Sequence, residues 1–166
     1  MIFVTVGTHE QPFNRLIEKM DKWALEHDEE VVLQTGYSTY IPKYCKWKKI
    51  FMYDEMVKII TEARIVITHG GPSSFIMPLQ IGKIPIVVPR KYDLKEHVNN
   101  HQVDFCKAVA KRMKIIIMVE NVNNLDDTIE NYEDIVKKIN TGFKSNNNIF
   151  CDRLEGIVEE LLKEEK

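Results

Sequence analysis

Ile65-Val66-Ile67-Thr68-His69-Gly70-Gly71-Pro72-Ser73-Ser74 is the stretch that decides the fold. Four β-branched residues in unbroken succession suit a strand buried on both faces, as in the middle of a parallel sheet. Two glycines follow where a backbone must turn tightly or approach another group closely. Pro-Ser-Ser then opens a helix, with proline tolerated in the first turn and serine suited to a cap. Strand, glycine turn and helix in ten residues make the start of a βαβ unit.

The same rhythm extends in both directions. Continuous Val/Ile-rich runs at 2–6, 31–34, 84–88 and 115–119 read as further buried strands. Residues 12–27 carry Phe13, Leu16, Ile17, Met20, Trp23 and Ala24 on one helical face, with Pro12 placed to be the first helical residue. Helical patterns recur at 53–63, 73–81, 97–111 and 129–139. Ser145-Asn146-Asn147-Asn148 reads as a loop before a last helix over about 151–165, with Leu154, Ile157, Val158, Leu161 and Leu162 on one side. Strand–helix alternation with short connections predicts an α/β, Rossmann-like doubly wound, mostly parallel sheet flanked by helices. At 166 residues the expectation is one domain, 1–166.

Composition narrows the function classes. Lys+Arg 23 against Asp+Glu 25 gives a formal net charge of -2, which argues against a nucleic-acid backbone as the main partner. A 44% hydrophobic share excludes a disordered chain. Cys45, Cys106 and Cys151 are odd in number and far apart, as expected in a reducing cytosol. No apolar run is long enough for a signal peptide or a bilayer span, so a soluble chain is expected.

In an open α/β sheet, ligands bind beyond the carboxyl ends of the strands. The loops to read are therefore Gly7-Thr8-His9-Glu10-Gln11, His69–Ser74, and Pro89-Arg90-Lys91-Tyr92-Asp93 leading to Glu96-His97 and His101-Gln102. Gly70-Gly71 before a helix offers unpaired backbone N–H groups at a positive dipole end, with Ser73 and Ser74 hydroxyls beside them, an arrangement suited to a diphosphate. A tight turn with a serine cap explains the same residues. Gly7-Thr8-His9 lacks the later glycines of a dinucleotide loop, and Gly82-Lys83 lacks the frame of a Walker loop.

Other candidates have plain alternatives. His97 and His101, four residues apart, could share a helical face with Glu96 and His69 nearby, but no convincing third metal ligand is present, and no metal is expected. Arg90, Lys91 and Lys95 could neutralise a diphosphate or be a solvated charge run. His9 and Glu10 could act near a reacting centre or cap a loop. Lys43-Tyr44-Cys45-Lys46-Trp47-Lys48-Lys49 reads as an exposed connection with Trp47 buried, the alternative being contact with a membrane surface. Cys106 reads as a core thiol.

Val4-Thr5-Val6-Gly7-Thr8, Ile67-Thr68-His69-Gly70-Gly71, Gly82-Lys83-Ile84-Pro85-Ile86-Val87-Val88-Pro89 and Asn100-His101-Gln102 occur in that order. Together they resemble the C-terminal, donor-binding half of GT-B glycosyltransferases (family 28-like), the group that includes the peptidoglycan N-acetylglucosaminyltransferase. The chain looks most like the stand-alone subunits of split enzymes: the cytosolic subunit of the dolichol-linked N-acetylglucosaminyltransferase and bacterial capsule or exopolysaccharide subunits.

The resemblance implies an inverting, metal-free transfer of a hexose or N-acetylhexosamine from a UDP-sugar to a lipid-linked acceptor, with no cofactor. It places His69, Gly70, Gly71, Ser73 and Ser74 at the donor diphosphate, and Pro89 and Arg90 beside the uracil. His101 and Gln102 would lie near the transferred sugar, with Gly7 and Thr8 on the cleft floor; His69 and His9 are the candidate catalytic groups. The general base and the acceptor site are expected on a membrane-associated partner that recruits the chain to the cytoplasmic face, with Leu161 and Leu162 at the interface. Met77 stands where relatives carry a ribose-binding glutamate, leaving Gln80 or a partner residue to substitute. A non-catalytic enhancer or scaffold subunit, and a UDP-sugar epimerase-like enzyme, are the alternatives.

Overall fold

The computed structural model describes residues 1–139 and 146–164. Six strands form one sheet: β1 Ile2–Thr5, β2 Val31–Gln34, β3 Lys46–Lys48, β4 Ile65–His69, β5 Ile86–Val88 and β6 Ile117–Met118. Every neighbouring pair is parallel, in the order β3-β2-β1-β4-β5-β6. Among the described residues seven α-helices accompany it: α1 Asn14–Glu26, α2 Tyr53–Glu62, α3 Pro72–Gln80, α4 His101–Arg112, α5 Leu125–Glu130, α6 Tyr132–Ile139 and α7 Asn147–Glu164. This is the doubly wound, Rossmann-like α/β fold that the Val/Ile runs predict.

The continuous apolar runs are explained by cover on both faces. Ile2, Val4, Ile65, Ile67, Ile86 and Val88 pack with Leu16, Ile17, Met20 and Trp23 of α1 and with Leu125, Ile129 and Tyr132. Phe3, Val32 and Val66 face the other way, against Ile60 of α2. Val87 joins Phe75 and Leu79 of α3 and Cys106 of α4 on that second side. Cys106 is fully buried, and burial pushes its thiol up to about 11, so it is the core thiol the sequence suggests.

Several boundaries differ from the sequence reading. Pro12 lies outside α1, which starts at Asn14. Buried Phe13 takes the N-cap position, and its N–H donates to Ser38 Oγ. Helix α4 begins at His101 rather than at 97, so His97 and His101 do not share a helical face. The run at 115–119 contributes only two strand residues, and the 129–139 pattern is split between α5 and α6.

Strand β3 was hidden by its lysines. Lys46-Trp47-Lys48 is an exposed edge strand, charged in the way edges commonly are, and Trp47 is 46% exposed rather than buried. Helix α7 begins at Asn147, so Asn147 and Asn148 are helical; Ser145 and residue 165 lie outside the described residues. Its side chains at 147–163 are exposed, so α7 does not pack on the sheet as a C-terminal helix ordinarily would. Among the described residues no helix is long and apolar enough to cross a membrane.

Asp21 shows how the loop before β3 is held. It lies on the buried side of α1, 1% exposed, and accepts hydrogen bonds from the N–H groups of Lys43, Tyr44 and Cys45 and from the Tyr40 hydroxyl. Burial alone would raise its pKa, but those donors outweigh it and hold the carboxyl below its ordinary value.

Candidate functional site

Strand order reverses between β1 and β4, and a cleft of about 460 Å³ opens there at the carboxyl ends of the strands. Its walls are Thr5 at the end of β1 with Gly7, Thr8 and His9 after it, Gln34 at the end of β2, Met56 and Ile60 of α2, His69 at the end of β4, and Ser73, Ser74 and Met77 of α3. Six of these, Gly7, Thr8, His9, His69, Ser73 and Ser74, are sequence-derived candidates. Thr5, Gln34, Met56 and Ile60 were missed, although the carboxyl-end rule applied to β1 and β2 points at Thr5 and Gln34.

His69 is the centre of the cleft floor. The Gly71 N–H donates to its Nδ1 at 3.0 Å, so the neutral ring carries its proton on Nε2 and donates to Ser74 Oγ at 2.9 Å. Burial, reinforced by the nearby Arg90 charge, brings the His69 pKa down to about 4. The imidazole is sandwiched between two glycines: a Cβ on Gly7 or on Gly71 would stand closer than 3.0 Å to the ring. Gly7 also has φ 73, a left-handed backbone that glycine adopts freely.

The donors available to a ligand differ from the expectation. Neither Gly70 nor Gly71 offers a free N–H: Gly70 donates to Gln102 Oε1 and Gly71 to His69. Ser74 N–H is taken by Gly71 O. What the first turn of α3 presents is the Ser73 N–H and the hydroxyls of Ser73 and Ser74. The relay from Gly71 through His69 to Ser74 leaves the Ser74 hydroxyl proton pointing onward as a donor.

Arg90 is not a cleft cation. It is fully buried, and its guanidinium donates to the carbonyls of Gln11 at 2.7 Å, Glu96 at 3.0 Å and Val6 at 2.8 Å while stacking over Phe13. Burial lowers its pKa to about 10. Arg15 completes the clasp, pairing with both Glu96 oxygens and donating to Pro89 O. Pro89 and Arg90 therefore serve to tie loops together. Lys91 pairs with Glu120, and Lys95 lines a separate depression with Gln11 and His97. Among the described residues no Lys or Arg lines the cleft.

His101 and Gln102 part company. His101 is exposed and stacks on Phe105, outside the cleft. Gln102 is 6% exposed and sits beneath the loops. Gln80, the suggested stand-in for a ribose acceptor, donates to Asn147 Oδ1 on the far side of α3. Met77 does line the cleft, and among the described residues no carboxylate joins it there. Among the described residues no group of three His, Cys, Asp or Glu side chains is placed to hold a metal; Glu96 is committed to Arg15.

His9 stands beside His97, ring centroids 4.9 Å apart. Its Nδ1 accepts from Gln11 N–H, and burial, then Arg90, then His97 lower its pKa. Both cleft imidazoles thus rest neutral, with Nδ1 occupied and the proton on Nε2. The site is a row of uncharged donors.

A cleft at the reversal point, with a helix N-terminus on one side and a glycine turn on the other, is where Rossmann-like α/β sheets bind their ligands. The sequence model of the glycosyltransferase family 28 C-terminal domain matches residues 1–161, and the chain belongs to that family. No curated protein sequence matches it. In structure it is similar to the crystallised glycotransferase of kitacinnamycin, with a TM-score of 0.52 and 17% identity over 98% of this chain. The chain spans 39% of that protein's length, and the likeness is one of fold.

Proposed function

We propose that this chain, acting as one domain over 1–166, is the UDP-sugar-binding subunit of a two-component inverting glycosyltransferase. The single observation that carries this reading is the cleft itself: uncharged donors at the α3 N-terminus and glycine turns on a Rossmann-like sheet, in a glycosyltransferase family 28 chain. Such donors match the oxygens of a diphosphate, and they stabilise the charge that grows on it as the leaving group departs.

The second component follows from what the cleft lacks. An inverting displacement needs a base for the acceptor hydroxyl. His69 and His9 both have Nδ1 engaged, and among the described residues no carboxylate lines the walls. The base and the lipid-linked acceptor belong to a membrane-associated partner subunit, which brings this chain to the cytoplasmic face for capsule or exopolysaccharide synthesis. Helix α7 supports that assembly: Phe150, Leu154, Ile157, Val158, Leu161 and Leu162 are all exposed, an apolar side without cover.

The test is calorimetry with UDP and UDP-sugars, and transfer assays with the chain alone and with the polypeptide encoded beside it. The expected result is UDP binding by the chain alone and transfer only with the partner. Gly71→Leu abolishes binding, because its side chain would displace His69. Full transfer by the isolated chain overturns the two-component reading. Absence of UDP binding in the complex favours a non-catalytic subunit instead.

A further inference from the structure

We propose that Gln102, through its side-chain carbonyl, is a positioning residue for the donor cleft; this rests on the donor-binding reading above. Its side-chain carbonyl, Oε1, accepts two backbone hydrogen bonds at once, from Gly70 N–H at 3.1 Å and Arg90 N–H at 3.1 Å. These two residues sit where the chain leaves β4, at the reversal point, and β5, the next strand along. One oxygen in the first turn of α4 therefore joins the loop after β4, which lines the cleft, to the loop after β5.

The packing leaves the amide no freedom to turn outward. Gln102 is 6% exposed, and a Cβ on Gly70 would lie 3.0 Å from both Gln102 Cβ and Cys106 Sγ. From Gly70 the effect runs one residue to Gly71, whose N–H orients His69, whose Nε2 proton in turn orients the Ser74 hydroxyl. From Arg90 it runs through the guanidinium to Val6 and Gln11, which bracket the glycine turn after β1. Removing the acceptor strands two buried N–H groups and frees the turn that aims the serines.

A sugar contact and a positioning role respond oppositely to two near-isosteric variants. Gln102→Glu keeps an acceptor for both N–H groups, whereas Gln102→Met keeps the shape and loses it. Titrations of the full chain use UDP, UDP-galactose and UDP-N-acetylglucosamine. Gln102→Met is expected to weaken all three by a common factor on the order of tenfold, the scale of one lost hydrogen-bonded anchor. Gln102→Glu is expected to stay within about threefold of wild type for all three. Weakening confined to the UDP-sugars, with UDP unchanged, overturns the proposal in favour of a sugar contact.

Amide hydrogen exchange supplies a readout that needs no ligand. The Gly70 and Arg90 amides should exchange at least about tenfold faster in Gln102→Met and at the wild-type rate in Gln102→Glu. Unchanged exchange in Gln102→Met overturns the positioning role whatever the titrations give. A wild-type chain that binds none of the three ligands overturns the donor-site reading, a failure separate from that of Gln102.

Discussion

No side chain fits between Gly7 and His69: a Cβ on Gly7 would stand closer than 3.0 Å to the imidazole. The glycine turn after β1 and the histidine ending β4 are thus cut to each other, across the point where strand order reverses. The proposed donor cleft has this contact as its floor.

Three glycine-to-alanine variants separate the steric from the conformational share of that fit. Gly82 has φ 77 with nothing within 4 Å of an added Cβ, so Gly82→Ala should cost about 1 kcal/mol of backbone strain alone. Gly71 has an ordinary φ of -76 but its Cβ would strike His69, so Gly71→Ala should cost roughly 1–3 kcal/mol by overpacking. Gly7→Ala carries both burdens and should be the most destabilising of the three in urea unfolding. A Gly7→Ala protein as stable as Gly82→Ala would contradict the fit.

The neutral state of His69 makes stability depend on pH in a definite direction. Its pKa falls from 6.5 to about 4 on folding, so between those values the unfolded chain holds the extra proton. Stability from this group is complete above pH 6.5 and is lost as pH falls toward 4, about 3 kcal/mol in all. His9 shifts in the same direction. Chemical denaturation at pH 7, 6, 5 and 4.5 should show the decline, and His69→Gln should remove most of it. A slope unchanged in that variant would place the charge burden elsewhere.

Sugar-hydroxyl recognition by the cleft should be weak. Gln34 donates to Thr5 Oγ1 and accepts from Phe51 N–H, Thr5 accepts from Gly7 N–H, and Met56, Ile60 and Met77 supply apolar wall. A site without a committed acceptor does not reject an analogue that lacks the hydroxyl. UDP and 2′-deoxy-UDP should therefore bind within about threefold of each other in competition calorimetry. A preference for the ribose form beyond about tenfold would mean an acceptor reaches the nucleoside.

Asp21 should behave as a structural anchor far from the cleft. Asp21→Ala leaves three backbone N–H groups and the Tyr40 hydroxyl without their acceptor, at a cost of about 3 kcal/mol. Asp21→Asn, which retains one acceptor oxygen, should recover part of it. UDP affinity should be the same in all three proteins, since Asp21 does not line the cleft.

What sequence could reveal here tracks the range of the interactions. β2 matches its predicted span residue for residue, and β1 and β4 match to within one residue, because unbroken Val/Ile runs state double burial locally. The cleft's location followed from the same runs and the carboxyl-end rule. Arg90 was misjudged because its partners, Val6 and Gln11, are 84 and 79 residues away in the chain. Pro89-Arg90-Lys91-Tyr92-Asp93 looks like any charged loop until the sheet is assembled. The free amides of Gly70 and Gly71 failed for the same reason in the first case, a distant Gln102, and for a local one in the second: a histidine two residues back can accept. Asp21 did leave a trace, a carboxylate one turn after Ile17 on the apolar side of α1.

The Arg90 guanidinium has a consequence for how the protein can move. It holds carbonyls from the loop after β1 and the loop after β5, while Arg15 pins Glu96 and Pro89 from α1. Neither loop can swing open without breaking several bonds to a buried charge together, so they form one stiff rim. Domains that grip a ligand commonly do so with a hinged lid. A rim clasped in this way cannot serve as such a lid, and under the two-component proposal enclosure of the donor would fall to the partner subunit.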